Sequence, residues 1–204
     1  GFSKAAMTWT PITDEQFSRG DIISAVEKKG VTPPPLFIGY TSDEFIDNGI
    51  NTIELGIRKL VKAEEKRGLK GKNYVYKFDV PIPGWDNPGK FHSVDLWFFF
   101  ETLAKCWRPF TGVHYDISRK MCNYMCNFIK TGNPNDNGLS SGLSPRAGVS
   151  YPPSKEENLK RYEESQEKLP EWKAFSSEEP NCMFFDTDCT LHSFDAEGEI
   201  KKYI

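Results

Sequence analysis

Apolar positions along the chain fall into short blocks whose spacing changes from helical to alternating and back. Ile22, Ile23 and Val26 in DIISAVEKKG lie at helical spacing after a loop-like opening, and Gly30 follows as a stop for that helix. VTPPP then breaks the chain, and LFIGY, Leu36 to Tyr40, is a continuous apolar run that reads as a buried strand. From Thr52 to Arg67, Ile53, Ile57, Leu60 and Val61 share one helical face, with the KAEEKR charges on the solvated side. NYVYKFDV, Asn73 to Val80, alternates and is rich in Tyr, Val and Phe, which predicts a second strand. A Pro/Gly loop, PIPGWDNPGK, carries the chain to His92.

Asp95 to Ala104 reads as a helix with Leu96, Phe99, Phe100 and Leu103 inward at i, i+3, i+4 and i+7. A second helix is expected from about Asp116 to Lys130, with Met121, Met125, Phe128 and Ile129 inward. It stops at TGNPNDNG, where Gly132 and Pro134 disfavour continuation. Residues 139–168 read as an exposed loop followed by a highly charged helix or disordered bridge. A strand, NCMFFDT, and a polar tail close the chain, and no internal repeat is visible. The order strand, helix, strand, helix, helix, strand predicts an α/β fold with few strands flanked by helices. It suits the end of a sheet better than a whole one.

With 204 residues, 38% of them hydrophobic and 14% aromatic, the chain can bury a real core in one domain or a tightly joined pair. A net charge of -3 argues against a nucleic-acid partner. No run approaches the roughly 18 apolar residues of a membrane span, and no basic-then-apolar opening reads as a signal peptide. The five cysteines, 106, 122, 126, 182 and 189, are irregularly spaced and odd in number. That pattern fits reduced thiols and a cytoplasmic setting, with secretion left open. The opening GFSKAAMTW has no initiator Met, as expected of a chain that starts at a cut or boundary.

Two carboxylates and one imidazole stand where α/β sheets collect their chemistry, at the carboxyl ends of strands. Glu44 follows LFIGY by four residues, with Asp43 as the neighbouring alternative. Thr41-Ser42-Asp43-Glu44 also fits a capping box, in which Glu44 would serve only a helix start. His92 follows the second strand and suits a general base if a carboxylate holds its other ring nitrogen. It also suits a solvated loop. Asp95 is equally a helix-start carboxylate. His114 and His192 lack such placement and read as structural.

Gly138-Leu139-Ser140-Ser141-Gly142 has the letters of a nucleophile elbow but neither the strand before nor the helix after that an elbow requires. Cys122 and Cys126, one turn apart with His114 nearby, lack the second ligand pair of a zinc site and read as helix-packing residues. No metal and no organic cofactor is expected.

LFIGYTSDEF, GKFHSVDLWFFF, NFIKTGNPN and LPEW, in this order, resemble the C-terminal part of the type-B carboxylesterases, the cholinesterase-like α/β-hydrolases. The opening MTWTPITDEQF is similar to the segment upstream of the family's acid. The resemblance covers nearly the whole chain and is weakest over 139–168. It implies that residues 1–204 are the C-terminal segment of such a hydrolase domain, lacking most of the N-terminal sheet, the oxyanion glycines and the nucleophile elbow. It implies Glu44 as the acid and His92 as the base of a Ser-His-Glu triad whose serine lies elsewhere, with Asp95 and Asp43 supporting. Phe45 departs from the family, which commonly has Gly there.

The implied reaction is hydrolysis of small-molecule carboxylic esters, with this chain inactive alone. The implied partner is a complementary N-terminal segment or a second copy, docking on an open strand edge and an aromatic face. A second reading is a non-catalytic, cholinesterase-like interaction module or a truncated gene product. The presence of both Glu44 and His92 speaks against long decay.

Overall fold

Parallel pairing of neighbouring strands in one sheet decides where the candidate residues meet. The structure, a computed structural model, describes residues 14, 16–17, 20–47, 50–70, 72–136 and 169–194. Helix α1 (Ile22–Lys29) precedes strand β1 (Leu36–Thr41), and a miniature hairpin of β2 (Ile46–Asp47) and β3 (Ile50–Asn51) leads into helix α2 (Thr52–Lys66). Strand β4 (Asn73–Phe78), helix α3 (Asp95–Phe99), a 3-10 turn (Leu103–Lys105) and helix α4 (Gly112–Thr131) follow. Strands β5 (Asn181–Phe185) and β6 (Cys189–Ser193) complete the elements. The main sheet has the order β1-β4-β5-β6, parallel up to β5 and antiparallel at the last pair. Parallel neighbours need crossovers, which α2 and the α3–α4 stretch provide. The carboxyl ends of β1 and β4 therefore lie side by side, with Thr41 opposite Phe78.

The alternation in β4 divides its side chains between two cores, not between core and solvent. Tyr74, Tyr76 and Phe78 pack with Phe98, Phe99, Ile117, Tyr124 and Trp172, whereas Val75 packs with Tyr40, Ile57 and Val61 beneath α2. A central parallel strand buries both faces, so its pattern is apolar throughout. Two of the quoted motifs are tied together. Asn135 of GNPN accepts from the backbone N–H of Trp172 at 2.7 Å and donates to its carbonyl at 2.8 Å. That pairing seats the Trp172 ring, fully buried, against Tyr124 and Phe185.

Several expectations are corrected. The helix expected to Ala104 ends at Phe99, because Glu101 takes a positive φ of 49° and the chain turns. The inward face is Phe98, Phe99 and Leu103, while Leu96 and Phe100 are 47% and 61% exposed. A single 3.6-residue period does not survive a break in the helix. Helix α4 begins four residues before Asp116, and Ile129, expected inward, is 71% exposed. In LFIGY, Tyr40 is buried but Leu36 to Gly39 are only half buried, since no described strand covers the outer edge of β1. Part of the polar tail, Cys189–Ser193, is a strand that pairs with β5. The stretch 139–168, with Ser140, lies outside the described residues, as do most of the first twenty. Among the described residues no helix is long and apolar enough to cross a membrane.

Candidate active site

After β1 the chain turns at once, with Ser42 N–H donating to the Phe78 carbonyl at 2.9 Å. No helix follows, which removes the capping-box reading of Glu44: the next element is β2. Half of that box's bonding survives, because Glu44 Oε1 accepts from the Thr41 N–H at 2.7 Å. The turn is anchored from its far side by α2. Asn51 caps that helix, its side-chain oxygen accepting from Ile53 and Glu54, and its amide donates to the Glu44 carbonyl at 2.8 Å. One residue thus serves both the start of α2 and the acidic loop.

The long connection after β4 is clamped by Arg108, whose guanidinium donates to the Pro83 carbonyl at 3.0 Å and bidentately to Asp86 at 2.8 and 2.9 Å. Such a planar fork fixes direction as well as distance. It holds the Asp86 carboxyl below its ordinary range. Further along, Gly89 has φ +67°, and a Cβ there would sit 2.6 Å from Asp43 Oδ2. The space is taken because Asp43 Oδ2 accepts from the Lys90 N–H at 2.6 Å. Asp43 therefore latches the acidic loop to the histidine loop two residues before His92.

These supports converge on one contact. His92 Nδ1 is hydrogen-bonded to Glu44 Oε2. The Glu44 side chain is 7% exposed and the His92 side chain 67% exposed. A buried carboxylate with one oxygen on a backbone N–H and the other on Nδ1 selects the tautomer with its proton on Nδ1. That leaves Nε2 as an acceptor on the open side of the ring. The residues directly after each partner, Phe45 and Ser93, take positive φ values of 51° and 70°. The Phe45 ring meets the imidazole edge-on at 5.0 Å. Left-handed backbone costs a non-glycine residue about 1–2 kcal/mol, and two such residues flank the pair.

Beneath lies a second polar contact. Tyr76 O–H donates to Asp95 Oδ2 at 2.7 Å, both groups buried. Burial raises the Asp95 carboxyl above its ordinary value, partly offset by the Tyr76 bond, and the Glu44 charge raises it further. Burial likewise raises the Tyr76 phenol, with Asp95 and Glu44 adding to it. Asp95 is thus held by Tyr76 and not by His92. Tyr76 and Arg108 were missed in the sequence, where no local signal joins either to its distant partner.

His114 caps α4: its Nδ1 accepts from the Thr111 N–H at 3.0 Å, and Nε2 faces the Pro81 carbonyl at 3.2 Å. His192 packs on Phe184 at 4.4 Å. A cavity of about 210 Å³ between Val80, Val113, Ile117 and Asp186 touches none of Glu44, His92, Asp43 or Asp95. No group of three or more metal-ligating side chains occurs among the described residues.

Comparison with known proteins then adds an independent line. The sequence pattern described as "Carboxylesterase family" matches residues 50–201. No curated protein matches the chain in sequence. Among solved structures, the Geobacillus stearothermophilus carboxylesterase EST55 at pH 6.8 superposes with a TM-score of 0.60 at 15% identity, over 95% of this chain and 43% of that one. A PNB esterase superposes with a TM-score of 0.57 at 17% identity, over 96% of this chain and 43% of the other. At such identities the likeness establishes the fold. The chain spans less than half the length of these solved esterases.

Proposed function

The chain belongs to the carboxylesterase family, and from that premise we propose that it is the C-terminal part of a serine carboxylesterase, contributing the base and acid of the triad. The observation that carries this reading is the bond from His92 Nδ1 to the buried Glu44 carboxylate, made between loops at neighbouring strand ends. In the whole enzyme, a serine on the preceding segment attacks the ester carbonyl as His92 Nε2 takes its proton. The imidazolium then protonates the departing alcohol, leaving an acyl-enzyme that water hydrolyses by the same exchange. Glu44 holds the tautomer and stabilises the cation. Asp43 keeps the two loops in register, and Asp95 supports the loop through Tyr76. Small-molecule esters are the substrates. The partner of this chain is the complementary N-terminal segment or, without it, a second copy.

Two assays test the proposal. The 204-residue chain alone hydrolyses a p-nitrophenyl ester negligibly. Joined to the coding sequence that precedes it, it turns over the ester, and Glu44→Gln lowers kcat by roughly 10⁴-fold, the effect of losing a triad carboxylate. Full turnover by the Glu44→Gln protein would remove the reading, as would turnover by the chain alone that His92→Ala abolishes.

A further inference from the structure

Helix α4 places two sulfurs together. Cys122 and Cys126 stand four residues apart, both half buried, with their Sγ atoms 3.9 Å from each other. Of the remaining cysteines, Cys106 is also half buried, whereas Cys182 and Cys189 are buried, and burial pushes the Cys189 thiol up to about 12. Cys126 is drawn the other way, to about 6, chiefly by its hydrogen bond with Cys122 and secondarily by the charge of Lys130, against burial and Glu101. A thiolate is thus available at neutral pH beside a second thiol.

Helix geometry limits what this pair can form. Residues four apart on a helix have Cβ atoms about 5–6 Å apart, whereas a disulfide needs them within about 3.5–4.5 Å. A direct sulfur–sulfur bond would therefore distort α4. An atom inserted between the sulfurs would distort it less, because two bonds of about 2.3 Å, the length of a typical metal–thiolate contact, bridge the 3.9 Å separation through a bent centre. No group of three or more metal-ligating side chains occurs among the described residues, and a centre that two sulfurs hold fits the pair as it stands.

We propose that Cys122 and Cys126 form a two-thiol chelate on α4 for a trivalent arsenical, a soft electrophile whose shell two sulfurs complete. The step balances without an oxidant. Both thiols bond to arsenic, the arsenic–oxygen bond of the oxide breaks, the two protons leave with that oxygen as water, and arsenic stays trivalent.

The test is titration of the 204-residue chain with phenylarsine oxide, read by intact mass and by counting remaining thiols. One adduct should form per chain, two thiols should disappear together, and a small dithiol should release it where a monothiol does not. Cys122→Ser and Cys126→Ser should each weaken binding about 100-fold or more, the usual gain from a second tethered contact, and Cys106→Ser should change nothing. Cys122→Ala and Cys126→Ala, with circular dichroism, separate loss of the site from loss of the helix. An adduct that survives either single substitution in folded protein, that consumes Cys106, or that never forms on the wild-type chain overturns the proposal.

Discussion

Phe45 and Ser93 share a backbone conformation that side chains other than glycine seldom adopt, and each follows one partner of the Glu44–His92 contact. Strain held at both flanks marks a place where geometry outweighs local stability. For Phe45 the strain can be weighed separately from the ring, which touches His92. Phe45→Ala loses the ring and keeps the strain, whereas Phe45→Gly loses both. The glycine variant should therefore unfold at higher denaturant than the alanine variant, by about 1 kcal/mol. Equal stabilities would show that the turn is not strained. The unusual residue was legible in the sequence as Phe45 standing where the resembling family has Gly. Its positive φ was not, because a dihedral angle follows from where both chain ends are anchored.

Helix α3 shows how an element's boundaries redirect its faces. Because the chain turns at Glu101, Phe98 and Phe99 enter the core and Phe100 leaves it. Phe98→Ala should cost about 3–5 kcal/mol, and Phe100→Ala should stay within about 0.5 kcal/mol of wild type. Reversed magnitudes in chemical denaturation would restore the unbroken helix. Between α2 and β4, Glu64 is buried and accepts from Asn73 Nδ2 at 2.6 Å, while Asn73 Oδ1 is buried with no hydrogen-bond partner among the described residues. Burial raises the Glu64 carboxyl above its ordinary value, against the Asn73 bond. The folded chain then holds that proton more tightly than the unfolded chain. The associated stability is full at acid pH below the ordinary carboxyl value and is lost as pH rises through the raised one.

Glu64→Gln keeps the acceptor, removes the charge and supplies a donor for Asn73 Oδ1. At pH 7 it should stabilise by about 1 kcal/mol, raising Tm by about 2–4 °C in a chain of this size. The gain should shrink as pH falls toward about 4. A Tm unchanged or lowered at pH 7 would contradict this account.

At the scale of the molecule, the outer edge of β1 has no described neighbour, and Trp85, Trp107 and Phe100 lie in the open. An uncovered strand and exposed aromatic rings favour association. The chain should run as a dimer or larger species by light scattering, and a separately prepared N-terminal segment should convert it to a one-to-one complex. A monomer at all concentrations, indifferent to that segment, would count against this.

Reading the sequence alone determined the α/β class, helices α1 and α2, strands β1, β4 and β5, and the pairing of Glu44 with His92 as candidates. The elements rest on information close in the chain, apolar period and proline and glycine punctuation, whereas the Glu44–His92 pair, 48 positions apart, rests on the order of motifs along it. Tertiary structure alone decided that Asp43 latches the loops through Lys90, that Asp95 answers to Tyr76, and that Arg108 clamps the approach to His92. Those contacts join residues 19 to 47 positions apart. Which distant groups meet is set by strand order and crossover, which no local pattern records.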